Sequence, residues 1–169
     1  MAEGRSYEMP FAIKLNDFVL EEYPPKVGIV DNVSGTLLHE QGKNIRILEK
    51  EEDFEILNYK MKILEYLETG SKAGDRYYFM NDVGAPQAVK IQSISPAHDT
   101  VVGWITCGSF NTPYESLKLS EAHSLIMLVP EPKNYTSHIE IYRPEGFETE
   151  VQLEVNRPYK LDDWKIYQL

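Results

Sequence analysis

Apolar and polar residues alternate one by one through most of this chain, in short runs that glycine, proline and asparagine interrupt. A period of two places successive side chains on opposite faces of an extended backbone, the pattern of a half-buried strand. Val151, Leu153 and Val155 alternate with Gln152 and Glu154. Trp164, Ile166 and Gln168 alternate with Lys165, Tyr167 and Leu169. The same rhythm runs through Gln87–Ile94 and Asn134–Arg143. Counting such runs, at a spacing of roughly 8–12 residues, gives an all-β chain: an antiparallel β-sandwich or open barrel of about nine to eleven strands.

Particular stretches sharpen that expectation. Phe11, Ile13 and Leu15 share one face, and Phe18 and Leu20 resume the alternation shifted by one, so a bulge is expected at Asn16-Asp17. Tyr23-Pro24-Pro25 ends that strand, because proline has no N–H to give the ladder. Short strands are expected over Lys26–Val33, Gly35–Glu40 and Lys43–Lys50. Phe54–Glu68 carries both helical and strand spacings; its β-rich surroundings favour a long strand in its second half, leading to a loop over Thr69–Asp75. Val101–Ser109 is the most apolar run and is expected to be a central strand. At the C-terminus, Val151–Val155 and Trp164–Leu169 flank a polar turn and are expected to form the last hairpin. The chain stops on an apolar residue within that strand, which suggests a segment of a larger protein. One β domain is expected over 11–169, truncated at its C-terminal end, with Met1–Pro10 as linker or tag-derived residues.

Composition excludes some classes of function. Hydrophobic residues at 42% and aromatics at 11%, including 11 tyrosines, suit a folded chain rich in strands. With 27 acids against 17 bases the net charge is −10, and no cluster of Lys and Arg exists to displace counterions from nucleic acid. The single cysteine, Cys107, excludes an intrachain disulfide but not an oxidising compartment. No apolar run is long enough to span a bilayer, and the polar start is unlike a signal peptide.

Candidate chemical groups are few. His39, His98, His123 and His138 show no metal-ligand spacing, so structural or surface roles are the simpler assignment. His123 and His138 are the pair to watch if their strands adjoin; with an acid they would make a metal site. Cys107 has no Lys, Arg or His within five residues to stabilise a thiolate, and reads as a small core hydrophobe. There is no Gly-rich phosphate loop and no Gly-x-Ser-x-Gly. An alternative from another class is a secreted or periplasmic carbohydrate-binding sandwich, with tyrosines and Trp104 or Trp164 stacking on sugar rings.

Three segments, in order, carry a family likeness. Glu154-Val155-Asn156-Arg157-Pro158 followed by Trp164-Lys165-Ile166-Tyr167-Gln168 resembles the signature near the end of the extracytoplasmic domain of ResB-type (system II) cytochrome c biogenesis proteins: a Val-Asn-x-Pro turn, then a strand ending Tyr-Gln. Lys14–Pro24 is similar to that family's opening strand, Leu-x-x-Phe then Glu-x-Tyr-Pro, which includes Tyr23 and Pro24. Lys133–Ile141 is similar to its Tyr-x-Ser strand, here Tyr135 and Ser137. Between about Gly35 and Pro130 only Met61–Leu67 and Gly84-Ala85-Pro86 echo it. The structural signature carried over is therefore Tyr23, Pro24, Tyr135, Ser137, Asn156, Pro158, Trp164, Tyr167 and Gln168.

The resemblance implies a domain of a membrane-anchored bacterial protein on the extracytoplasmic (periplasmic) side. It implies a CcsA-type membrane partner and apocytochrome c as partners, with haem delivered in the full-length complex. It gives no haem ligand among the four histidines and no redox motif around Cys107. The role it implies for this segment is positioning, with no catalytic residue and no cofactor of its own.

Overall fold

The computed structural model describes residues 8–38, 44–49, 53–80 and 84–168. Among them every regular element is a strand. In chain order these are β1 (Ala12–Glu22), β2 (Lys26–Asp31), β3 (Ile45–Ile47), β4 (Phe54–Ile56), β5 (Tyr59–Leu67), β6 (Gly70–Ala73), β7 (Arg76–Phe79) and β8 (Ala88–Ile94). There follow β9 (Thr100–Thr106), β10 (Leu117–Lys118), β11 (His123–Met127), β12 (Pro132–Arg143), β13 (Gly146–Glu154), β14 (Tyr159–Leu161) and β15 (Trp164–Ile166). All named pairs are antiparallel. The fold is all-β and sandwich-like, and no sheet of described residues closes into a barrel.

The chain forms two compact units. One comprises Met1–Tyr23 with Pro132–Leu169, the other Pro24–Glu131.

The Pro24–Glu131 unit is a sandwich of two four-stranded sheets, ordered β10-β11-β2-β3 and β4-β5-β8-β9. Its core draws on both. Val27, Ile29, Leu125 and Met127 of the first sheet meet Met61, Val89, Ile91 and Ile105 of the second. Each fully buried Ile or Leu stabilises the fold by roughly 1.5–3 kcal/mol. The β6–β7 hairpin covers part of the outer face of the second sheet, where Tyr77, Ala88 and Trp104 form a smaller core. Close approach there demands Gly70, whose Cβ would lie 2.8 Å from that of Ala88.

Two expectations within this unit are corrected, at Thr69–Asp75 and at Val101–Ser109. The long strand expected in the second half of Phe54–Glu68 is present as β5, and Phe54–Ile56 adds β4 before it, the two joined by Leu57-Asn58, both at positive φ (48° and 66°). That is the mirror-image turn which matches strand twist. Thr69–Asp75 is no loop, since β6 pairs with β7 through Gly70↔Phe79 to Ala73↔Arg76. The apolar run at Val101–Ser109 contains β9, which lies at the edge of its sheet. Its apolarity reflects cover on both faces: Trp104 packs on Tyr77, and Gly103 leaves room for Leu117, whose Cδ1 lies 2.6 Å from where a Cβ would stand. Of Gly35–Glu40 the described part shows a single bridge, Val30↔Leu37; Glu40 and the flanks of β3 at Lys43 and Lys50 lie outside the described residues.

The other unit is a three-stranded sheet, β1-β12-β13, partly covered by the β14–β15 hairpin. The bulge expected at Asn16-Asp17 is present: the register of β1 on β12 shifts between Leu15 and Asp17. The last hairpin differs from expectation. Trp164–Ile166 pairs with Tyr159–Leu161, and Val155 meets Gln168 only through an isolated parallel bridge. Asp162, at φ 50°, turns the chain after β14 and so lets it double back within the polar stretch.

L-residues pay roughly 1–2 kcal/mol each for left-handed backbone. Replacing Asn58 by Gly, which leaves the core-packed Leu57 in place, is therefore expected to stabilise the chain by about 0.5 kcal/mol. A urea midpoint that rises with unchanged m-value checks it; a lower midpoint contradicts the turn assignment.

Candidate interaction surface

In β1 the bulge keeps the apolar residues on one face. Ile13 pairs with Ile141, Leu15 with Ile139, Phe18 with Ser137 and Leu20 with Tyr135. Across β12, Ile139 pairs with Val151 and Ser137 with Leu153. Directly opposed residues project to the same side, so one face of the three strands is apolar. The β14–β15 hairpin covers it over β12 and β13: Leu161 is buried with Ile139, Ile141, Leu153 and Phe11, and Tyr159 and Ile166 pack against them. Trp164 closes one end, its ring edge-on to Phe11 at 5.7 Å. Arg143 fastens the hairpin, reaching Asp162 at 2.6 Å and Glu148 at 2.5 Å.

The cover stops short of β1. Ile13, Leu15, Phe18 and Leu20 are 41%, 57%, 48% and 43% exposed, and every residue of β1 is exposed. Among the described residues, the ring that meets this row is Tyr135, tilted 6.1 Å from Phe18. β1 is also an edge strand. An apolar row on an uncovered edge is the kind of surface that monomeric proteins hide unless it docks something.

The opposite face is polar and centres on Glu140. The Tyr142 hydroxyl donates to Oε2, Asn16 donates to Oε1 at 2.8 Å, and Lys14 donates to Oε2 at 3.1 Å. Those three donors, Tyr142 foremost, hold its carboxyl down at about 2 against an ordinary 4.5. The bulge that shifts the apolar row thus accompanies an Asn16 amide aimed at Glu140. A carboxyl depressed on folding contributes stability that is full above its unfolded value. That contribution is lost as pH falls from about 4.5 through about 2. The Glu140 carboxyl is expected to titrate near the lower value in carbon-detected NMR, and Glu140→Gln to flatten the acid limb of stability. A Glu140 midpoint at the ordinary value contradicts this geometry.

The signature residues do not all come together. Ser137 and Gln168 meet: the Ser137 hydroxyl donates to the Gln168 amide oxygen, beside the Val155↔Gln168 bridge. Asn156 sits at φ 64° and makes the turn in which the Arg157 amide donates to the Glu154 carbonyl at 3.1 Å. Arg157 also pairs with the Glu154 carboxylate at 2.9 Å. Pro158, Tyr23, Pro24 and Tyr167 are exposed, and Trp164, 40% exposed, packs on Phe11. Tyr135 is half-buried beside Phe18. Ser137→Ala is expected to cost about 1 kcal/mol and to speed amide exchange at Tyr167 and Gln168; unchanged exchange there would contradict a tethering role.

The described histidines do not converge. His39 lies outside the described residues. His98, at φ 67°, forms a tight exposed turn with Ser95. The Nδ1 of His123 lies 3.1 Å from the Tyr59 hydroxyl. His138 is exposed between Asp17 and Gln152. The strands of His123 and His138 belong to different sheets and do not pair. No group of three His, Cys, Asp or Glu suited to a metal ion occurs among the described residues. Cys107 is half-buried beyond the end of β9, packed against the core with its thiol 3.6 Å from the Gly108 carbonyl. Trp104 is 6% exposed under Tyr77, so its ring offers no stacking face to a sugar.

Alternation in the sequence marks β1 as apolar on one face, but it carries no signal of how far a hairpin 140 residues away would reach across that face. Comparison with protein-family models, with curated proteins and with solved structures finds no match. Among the described residues no helix is long and apolar enough to cross a membrane.

Proposed function

We propose that this chain is the extracytoplasmic domain of a ResB-like cytochrome c assembly factor, acting as a positioning module without a catalytic residue of its own. The observation that carries the proposal is the meeting of separate signature segments. Ser137 from the Tyr-x-Ser strand holds Gln168 from the terminal Tyr-Gln, next to the left-handed Asn156 of the Asn-x-Pro turn. Motifs more than thirty residues apart in the chain thus build one corner.

The chemistry of such a module is proximity. Holding apocytochrome c beside a CcsA-type, haem-carrying membrane partner converts an encounter of three bodies into a local reaction. The haem and its ligands belong to the full-length complex, and no residue of this chain is assigned to them. The uncovered row on β1 suits a domain whose work is contact.

Deleting the domain from the membrane-anchored protein is expected to abolish covalently haem-stained cytochrome c while leaving the CcsA-type partner at its normal level. Cys107→Ser and His138→Ala in the intact protein are expected to change holocytochrome yield less than about twofold, because neither group acts in chemistry. Undiminished holocytochrome in the deletion strain contradicts the function. Tenfold loss in either point variant contradicts a non-catalytic domain.

A further inference from the structure

We infer that β1 takes a partner's extended segment as an added strand, and that the segment alternates apolar with basic residues. The inference rests on the positioning function proposed above and names the way it would engage an unfolded client.

Geometry supplies the first half. β1 is an eleven-residue edge strand whose other side carries no strand among the described residues. Its length offers a ladder of about 37 Å at the usual rise per residue. An added strand receives main-chain hydrogen bonds from the edge, and side chains of alternate positions reach each face. On one face they would meet Leu15, Phe18 and Leu20, each two-fifths or more exposed.

Charge supplies the second half. β1 holds one lysine, Lys14, against three carboxylates, Asp17, Glu21 and Glu22. Lys14 is already engaged by Glu140, and Glu21, among the described residues, makes a loose, exposed contact with Lys133 at 3.7 Å. Asp17 and Glu22 have no basic partner among the described residues. Opposite charges across neighbouring strands stabilise pairing and like charges oppose it. A basic segment fits this edge. A second copy does not, since it would face three carboxylates with three more, in a chain of net charge −10.

The edge is also partly guarded. At the bulge, Asp17 Oδ1 accepts the Phe18 amide at 2.9 Å, which satisfies that group within the strand. Bulges and charges of this kind protect edges from indiscriminate pairing. They leave two arms, Ala12–Leu15 and Val19–Glu22, and the second is the acidic one.

The test uses the whole chain with two capped ten-residue peptides, one alternating valine with lysine and one alternating valine with glutamate. Binding is followed by anisotropy of a labelled peptide, and its place by amide exchange. The expected result is binding of the lysine peptide with slowed exchange in Val19–Glu22. Glu21→Lys with Glu22→Lys should weaken it at least tenfold at low salt. Phe18→Ser should weaken it about fivefold; if that variant unfolds by circular dichroism, the double lysine variant alone decides. Equal binding of the glutamate peptide, or protection confined to other strands, overturns the inference. So does a concentration-dependent dimer that protects β1 without peptide. These outcomes leave the positioning function standing if holocytochrome still needs the domain. Peptide binding in a chain whose deletion spares holocytochrome leaves the edge standing and removes that function.

Discussion

The antiparallel ladder between β1 and β12 is the interaction on which the first unit depends. It joins Ala12 to Tyr142 and continues to the Glu22↔Pro132 pair, so it draws together two stretches of chain separated by the whole Pro24–Glu131 sandwich. Closing so long an intervening chain costs little more entropy than closing a modest one, because the cost grows only with the logarithm of length. What the ladder must supply is register. A slip of one residue would turn Ile13, Leu15, Phe18 and Leu20 onto the face of Glu140 and draw Phe11 away from Trp164 and the small core. The bulge at Asn16-Asp17 prevents that slip from being useful: it re-phases Phe18 and Leu20 onto the face of Ile13 and Leu15, and Asn16 bonds to Glu140 on the other.

From that register follows an unequal division of the apolar face. The β14–β15 hairpin is three residues on each side. It is held from one end by Arg143 and from the other by Ser137 and Gln168. A cover so short spans β12 and β13 and leaves β1 open. The added-strand inference grows from this shortfall: a small unit with more apolar sheet than its own hairpin buries.

Much of this was legible in the sequence because the physical signals were local. Alternation located β8, β12 and β13, and a one-residue shift in alternation located the bulge in β1. Asn156 marked a turn that the structure makes with left-handed backbone. Other features were hidden for equally physical reasons. Leu57 adopts left-handed backbone despite its bulk, so the β4–β5 hairpin lacks the Asn-Gly it would ordinarily advertise. Gly70-Ser71-Lys72-Ala73 has no apolar alternation because β6 is held by β7 and by a close backbone approach at Ala88. β9 read as central because apolar content reports burial, and burial on two faces also arises at an edge when Leu117 and Tyr77 lie above and below. The candidate surface was the least legible, since exposure depends on what fails to cover a strand.

Hydroxyl-radical footprinting of the isolated chain at monomeric concentration tests the half-covered sheet most directly. The account predicts fast oxidation at Leu15, Phe18 and Leu20, with Ile139, Ile141 and Leu153 protected at least tenfold. Equal protection of the two sets would mean that β1 is buried and would contradict it.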